Sequence, residues 1–307
     1  MLNQIACQCC GLNGMKVIGH TGEYEQFLCE SCGYVRFFHI SKEVGHQLYE
    51  ADADYNDDLV VATDYVDLIQ WNHKQALKYL NKKFPSRDVA LLDIGCFNGF
   101  FVRKLLNSGY DAIGIDFNNK ALNFGKSNYG LEDRISNKTL KQLLSEGSQF
   151  DVVTMFEVIE HLEDFPLVLS DAHKLLKPGG LLILSTPNSR MFWRPDLDFP
   201  PHHLSRFTPK SLASCVVRLG FTPLLSLEQT STFDLIRNYI GSFFRHKDRK
   251  SMRGGEFRSK SLSIFLRRIA NKSKGLWYFL LWPVDMILHV IGIRYIGQMI
   301  IAKKRAV

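Results

Sequence analysis

Four cysteines near the start of the chain have the spacing of a metal site. They lie in two C-x-x-C-G runs, Cys7-Gln8-Cys9-Cys10-Gly11 and Cys29-Glu30-Ser31-Cys32-Gly33. Each C-x-x-C turn points two thiolates at one place, and the glycine after it supplies the positive φ that such a turn needs. Two such turns make a tetrahedral zinc site from Cys7, Cys10, Cys29 and Cys32. Cys9 is a spare thiol that competes with them, and a ribbon that packs without metal is the alternative. The chain has seven cysteines, an odd count that suits a reducing compartment and a metal better than disulfides.

A second constellation suits a nucleoside. In Leu91-Leu-Asp-Ile-Gly-Cys-Phe-Asn-Gly-Phe-Phe101 an apolar strand ends at Asp93, and Gly95 and Gly99 let the backbone approach a ligand before a helix begins. Ligands of open α/β sheets sit at such C-terminal strand ends. A second strand ends in Gly114-Ile115-Asp116, 21 residues after Gly95. A carboxylate there can accept hydrogen bonds from both ribose hydroxyls. The G-x-G-x-x-G spacing of a dinucleotide cradle is absent, because Phe97 stands where a second glycine belongs. That disfavours NAD, whose pyrophosphate needs a bare helix N-terminus. An ordinary tight turn is the alternative.

The third group is acidic and basic. Glu157, Glu160 and His161 are spaced i, i+3 and i+4, which on a helix places them on one face. On the residues alone, Glu157 caps a helix while Glu160 and His161 bond a neighbouring loop. His202 and His203 follow Pro200-Pro201 in a loop. Either is a candidate general base, or simply shapes the loop.

The elements that must carry these residues are legible as a rhythm. Residues 1–40 form a zinc-ribbon-like module. Residues 41–86 read as a helical connector, with apolar spacing from Asp64 to Phe84 that suits a helix lying on another domain. Over 87–229 short apolar runs alternate with helical stretches, the signature of a parallel sheet covered on both faces. Residues 230–292 break the rhythm as a basic and aromatic helical insertion, and 293–307 read as a returning strand with a basic tail.

Composition sets limits. The net charge is +7, but the stretch from Arg245 to Lys274 holds eleven Lys and Arg against Asp248 and Glu256, leaving the rest slightly acidic. One basic segment, rather than a basic protein, is implied. The ribbon's few basic residues, Lys16, Arg36 and Lys42, argue against nucleic acid as a partner. Leu276-Trp-Tyr-Phe-Leu-Leu-Trp-Pro-Val284 is strongly apolar, yet Pro283, Asp285, His289 and Arg294 interrupt it, which argues against a membrane span. The insertion is then a lid, a homodimer contact or a peripheral dock on an anionic membrane surface. Met1-Leu-Asn-Gln-Ile-Ala-Cys7 lacks a secretory pattern, so a cytoplasmic location is expected, with the inner membrane surface as a variant of it.

Taken in order, the D-I-G-C-x-N-G turn, G-I-D116, E157-V-I-E-H161 and L176-K-P-G-G180 carry a resemblance. The sequence resembles the class I S-adenosylmethionine-dependent methyltransferases. Its likeness is greatest to the branch holding the ubiquinone-biosynthesis O-methyltransferase and sugar and antibiotic methyltransferases. The resemblance runs from about Asp64 to Leu227 and takes in the last strand; the C-x-x-C-G pair is similar to one in relatives of that branch. It implies a Rossmann-like seven-stranded sheet of order 3-2-1-4-5-7-6 with an antiparallel seventh strand. It implies that Asp93, Gly95, Cys96 and Gly99 line the methionine part of the cofactor, that Asp116 holds ribose, and that Phe117 lies against adenine. Phe156 and Glu157 join the cofactor site. The acidic residue usual after the third strand has no counterpart around Ser136-Asn-Lys-Thr139. The resemblance further implies that Glu157, Glu160 and His161 bind a divalent ion, and that the loop of His202 and His203 overhangs the methyl group.

The function expected is therefore O-methylation of a small-molecule, sugar, glycolipid or quinone-type acceptor, lipid-linked forms included. Two other readings compete: a nicotinamide-dependent oxidoreductase, and a zinc-ribbon binding protein with a non-catalytic methyltransferase-like domain.

Overall fold

The computed structural model describes residues 5–40, 70–191, 194–195, 198–236, 274–293 and 296–305. Three N-terminal strands, β1 (Met15–Thr21), β2 (Tyr24–Cys29) and β3 (Val35–His39), form an antiparallel ribbon. The main sheet alternates with helices from there on. Helix α1 (Trp71–Lys83) precedes β4 (Ala90–Ile94), α2 (Phe100–Asn107), β5 (Asp111–Ile115), α3 (Asn119–Tyr129) and β6 (Ile135–Ser136). Then come α4 (Leu140–Ser145), β7 (Phe150–Phe156), α5 (Phe165–Leu175) and β8 (Leu176–Pro187). The chain continues through β9 (Ser205–Arg206), α6 (Pro209–Arg218), β10 (Phe221–Glu228), α7 (Lys274–Val290) and β11 (Gly297–Lys304).

Seven strands join in the order β10-β11-β8-β7-β4-β5-β6. β11 runs antiparallel to both β10 and β8, and the other pairings are parallel. Counted along the main domain, this is the expected 3-2-1-4-5-7-6 order read from the other edge. The central strands are apolar on both faces because helices cover both. Leu91, Val152, Leu181 and Ile301 pack with Ala76, Leu80 and Leu105 on one side. Their neighbours Leu92, Val153, Leu182 and Ile300 pack on the other, in a core that also holds Cys7, Phe27 and Tyr34 of the ribbon. Alternation along a strand sends adjacent residues to opposite cores.

The expected 64–84 helix is observed from Trp71; residues 64–69 lie outside the described residues. The basic stretch of the insertion falls mostly in 237–273, also outside them. Among the described residues, no helix is long and apolar enough to cross a membrane. The ribbon is not a separate unit: β3 pairs with β9, so a strand of the main domain completes a four-stranded sheet.

One close approach fixes the loop after β4. A Cβ on Gly125 of α3 would stand 2.0 Å from the Asn98 carbonyl oxygen, which only backbone movement can relieve. Gly125→Ala improves intrinsic helix propensity by about 1 kcal/mol, yet the overlap should dominate. Urea unfolding is expected to show a loss of about 1–3 kcal/mol; unchanged or raised stability would contradict the tight approach.

Candidate active site

The loop Gly95–Gly99 turns sharply between β4 and α2. Gly95 and Gly99 have φ of 74°, and Phe97 between them has φ of 52°. Phe97 is held in this left-handed conformation by its N–H, which donates to Asp116 Oδ2 at 2.8 Å. The other carboxylate oxygen accepts from Asn118 N–H at 2.8 Å. The backbone of Phe117 adds a third hydrogen bond, so the Asp116 carboxylate is fixed in position by the turn that follows β5. Phe117 beside it is 55% exposed, an apolar face at the rim. A Cβ on Gly95 would run into Val158 Cγ2 at 2.3 Å, so the loop closes against the segment after β7 only because that residue is glycine. Asp93 and Cys96 lie buried beneath it. Asp93 accepts the Thr154 hydroxyl at 2.6 Å. Burial, opposed by that hydrogen bond and helped by the charge of Asp116, pushes the Asp93 carboxyl up to about 7.

The acidic and histidine groups lie at the same end of the sheet, past β7. Glu157 has φ of 55° and accepts the Ser185 hydroxyl at 2.7 Å; burial pushes its carboxyl up to about 7. Ser185 in turn accepts from Asn72 Nδ2 at 2.9 Å. His73 stacks on Phe101 at 4.6 Å, with Phe156 edge-on at 5.1 Å, and burial pushes it down to about 3, so its ring is neutral. Glu160 is buried, its Oε2 accepts from Thr186 at 3.0 Å, and its Oε1 has no partner. His161 Nδ1 lies 2.7 Å from the His202 carbonyl oxygen. A carbonyl only accepts, so Nδ1 carries the proton and Nε2 carries the lone pair. His203 Nδ1 lies 2.9 Å from Asp198 Oδ1, which fixes the same tautomer there. The two rings meet edge to face at 4.6 Å. Ligand atoms of Glu160, His161 and His203 fall within 4.8 Å of one another.

The chain matches the methyltransferase domain family over residues 64–226, just over half its length. The chain belongs to that family. It is 31% identical over 194 residues to the ubiquinone biosynthesis O-methyltransferase of Cereibacter sphaeroides, covering 54% of this chain and 77% of that protein. The same enzyme of Ruegeria pomeroyi is 32% identical over 163 residues, 47% of this chain and 64% of that protein, just under two thirds of it. Phosphoethanolamine N-methyltransferase 2 of Haemonchus contortus, solved with S-adenosyl-L-methionine, superposes with a TM-score of 0.54 at 15% identity. That comparison covers 89% of this chain and 62% of the other, and the likeness is one of fold. With the class I sheet and the loop after β4, the chain is an S-adenosylmethionine-dependent methyltransferase.

Some sequence expectations require correction. Glu157, Glu160 and His161 do not share a helical face. Glu157 ends β7 in a left-handed conformation, and only Ile159–His161 form a single 3-10 turn. Helical spacing therefore misplaced the cluster. Among the described residues His203 replaces Glu157 as the third member of the converging set. Glu157 is not a helix cap either, since the turn's N-cap is Val158 without a side-chain cap. His202 enters the site through its carbonyl oxygen. Cys9 is outside the four-cysteine cluster and faces Cys215 of α6.

Sequence reasoning missed several partners. Asn72 and Ser185 orient Glu157, Thr186 orients Glu160, and Asp198 orients His203. It also missed Arg36. This buried ribbon residue donates to the carbonyls of Leu162 at 3.0 Å and Glu163 at 2.8 Å, and to Ser205 Oγ at 3.0 Å. It thus grips the segments directly after His161 and after His203.

Burial raises Asp93 and Glu157, so the fold holds their protons to higher pH than the unfolded chain does. The stability they contribute is full below the unfolded carboxylate value and is lost as pH rises through about 7. The cofactor-free methyltransferase should lose on the order of 3 kcal/mol between about pH 5 and pH 8 from these groups. Asp93→Asn should flatten that decline in chemical denaturation; an equally steep decline in the variant would refute the assignment to Asp93.

Proposed function

We propose that the methyltransferase transfers the methyl group to a hydroxyl oxygen of a small acceptor of the sugar, glycolipid or quinone type. The reading rests on His203, whose Nδ1–H is held by Asp198 and whose ring stands beside His161 and Glu160. The bound cofactor supplies a methyl already activated by its sulfonium. The protein then has to align the acceptor, exclude water and take one proton. The methyl would leave with the C–S bonding pair retained by the cofactor's sulfur, and the proton of the acceptor hydroxyl would pass to His203 Nε2. Burial opposes ionisation of Asp198, but hydrogen bonds and charge from His203 and Arg194 hold its carboxyl below the usual range. It therefore stays ionised and stabilises an imidazolium on His203, without itself being protonated. The O-methyltransferase relatives support oxygen as the atom methylated.

A second reading adds a divalent ion on Glu160, His161 and His203. It is favoured by the unpartnered Oε1 of buried Glu160 and by the convergence of one ligand atom from each of the three residues within 4.8 Å. Two imidazoles and one carboxylate suit such an ion, and Thr186 and Asp198 back Glu160 and His203 with hydrogen bonds. The ion would lower the pKa of an acceptor hydroxyl. His203→Ala is expected to remove at least about 99% of turnover while calorimetry shows unchanged affinity for S-adenosylhomocysteine. Near-normal turnover would refute the role of His203. Dialysis against a chelator separates the readings: activity persists if His203 acts as a base alone, and is lost and then restored by added Mg²⁺ or Zn²⁺ if the ion takes part.

The cysteine cluster is proposed as structural zinc. Cys7 and Cys32 sulfurs are 3.6 Å apart, as are those of Cys10 and Cys29. Tetrahedral zinc with bonds of about 2.3 Å places sulfurs roughly 3.8 Å apart. Gly11 and Gly33 have φ of 78° and 77°, and each donates its N–H to the first cysteine of its turn. Cys29→Ser should abolish zinc by elemental analysis and lower turnover several-fold through the ribbon's grip on the histidine segments. Full activity in a zinc-free variant would detach the ribbon from the site.

A further inference from the structure

Helix α7 has the reverse of the usual amphipathic arrangement. Its polar side chains face the protein. Asp285 Oδ1 accepts from the Thr232 N–H at 2.7 Å and hydroxyl at 2.6 Å, and the Tyr278 hydroxyl donates to Asp234 at 2.7 Å. The outward face is apolar: Phe279 is 76% exposed, Trp282 61%, Ile287 62% and Val290 78%. Asp285 is the single charged residue between Gly275 and Val290, and it points inward. A contiguous apolar face of this kind on a helix fastened to the domain requires a cover.

We propose that α7 lies flat on an anionic lipid surface, with this apolar face in the headgroup and acyl boundary. Charge selects that occupant. The stretch Arg245–Lys274, running directly into α7, carries eleven Lys and Arg against two acidic residues. Basic residues next to an apolar helix gain about 1 kcal/mol each near an anionic leaflet. Trp277 and Trp282, both exposed, are of the residue type that settles at a membrane interface. Among the described residues, no helix is long and apolar enough to span.

Placement gives the docking a use. α7 leads to β11, whose first residue Gly297 pairs with Pro187 at the C-terminal end of β8. That is the sheet end carrying Glu157, Glu160 and His161. A docked α7 therefore holds the active-site end of the sheet close to lipid, within reach of an acceptor that resides there. The inference is independent of which atom is methylated.

Flotation of the full chain with phosphatidylcholine vesicles, with and without phosphatidylglycerol, tests it. Binding to the anionic vesicles should exceed binding to phosphatidylcholine alone by at least about tenfold and fall with added salt. Tryptophan emission should shift to the blue. The double variant Phe279→Ser, Trp282→Ser alters exposed positions, so it should keep its circular dichroism and S-adenosylhomocysteine affinity while losing flotation about tenfold. No flotation at low salt, or equal flotation by the variant, would overturn the proposal. So would a protein that elutes as a dimer, becomes a monomer in the variant and ignores vesicles, because a second copy would then be the cover.

Discussion

The active site depends on one piece of β-pairing, between ribbon strand β3 and the two-residue strand β9. β9 begins two residues after His203, and Arg36 of β3 holds the carbonyls just after His161. A buried guanidinium is costly unless its donors are used. Here it is used on the two loops that carry imidazoles. Tyr34 and Thr208 add to the seam: the Tyr34 hydroxyl lies 2.9 Å from Ser205 Oγ, and Thr208 donates to the Cys32 carbonyl at 2.8 Å. A ribbon of this size cannot bury enough apolar surface to be rigid alone. Its stiffness has to come from the cysteine cluster and from the domain it grips, so the cysteine turns and the histidines form one mechanical unit.

The site is also electrostatically incomplete. Burial pushes up the carboxyls of Asp93, Asp116, Glu157 and Glu160. Carboxyls destabilised as anions suit a positively charged ligand. A sulfonium close to them would favour their ionised forms. Two non-glycine residues in left-handed conformation, Phe97 and Glu157, lie in the same region. Local strain is retained where surrounding hydrogen bonds over-determine the backbone. Asp116 does this for Phe97, and for Glu157 the backbone bond to Ser185 and the Ser185 hydroxyl do so.

What could be read in the sequence follows from interaction range. The cysteine turns, the glycine loop, the strand rhythm and the antiparallel last strand rest on local chemistry or on a long shared pattern, and each is present. The Glu157–His161 cluster was misplaced because E-V-I-E-H has helical spacing, whereas the backbone leaves β7 through a positive φ that side-chain types do not announce. Asp198 and His203 are five residues apart in an irregular loop, a spacing with no periodic meaning. Asn72 meets Ser185 across 113 positions. The β3–β9 ladder involves only two residues of β9, too few to register as a strand. The insertion's aromatic run was legible as unusual, but its orientation was not, because only the contacts of Tyr278 and Asp285 reveal which face is outward.

The histidines can be ranked by the same physics. His202 contributes a carbonyl oxygen that orients His161. His161 is pushed down to about 3 by burial and by the nearby His203, so at neutral pH its ring is neutral and does not hold a second proton. His203 alone is backed by a carboxylate, and Asp198 is itself steadied by Arg194 and Arg206. A proton arriving on His203 is therefore compensated, whereas one arriving on His161 is not. The asymmetry supports the proposed use of His203, rather than His161, as the group that takes the acceptor's proton. That division is compatible with either a bare acceptor hydroxyl or one held by an ion.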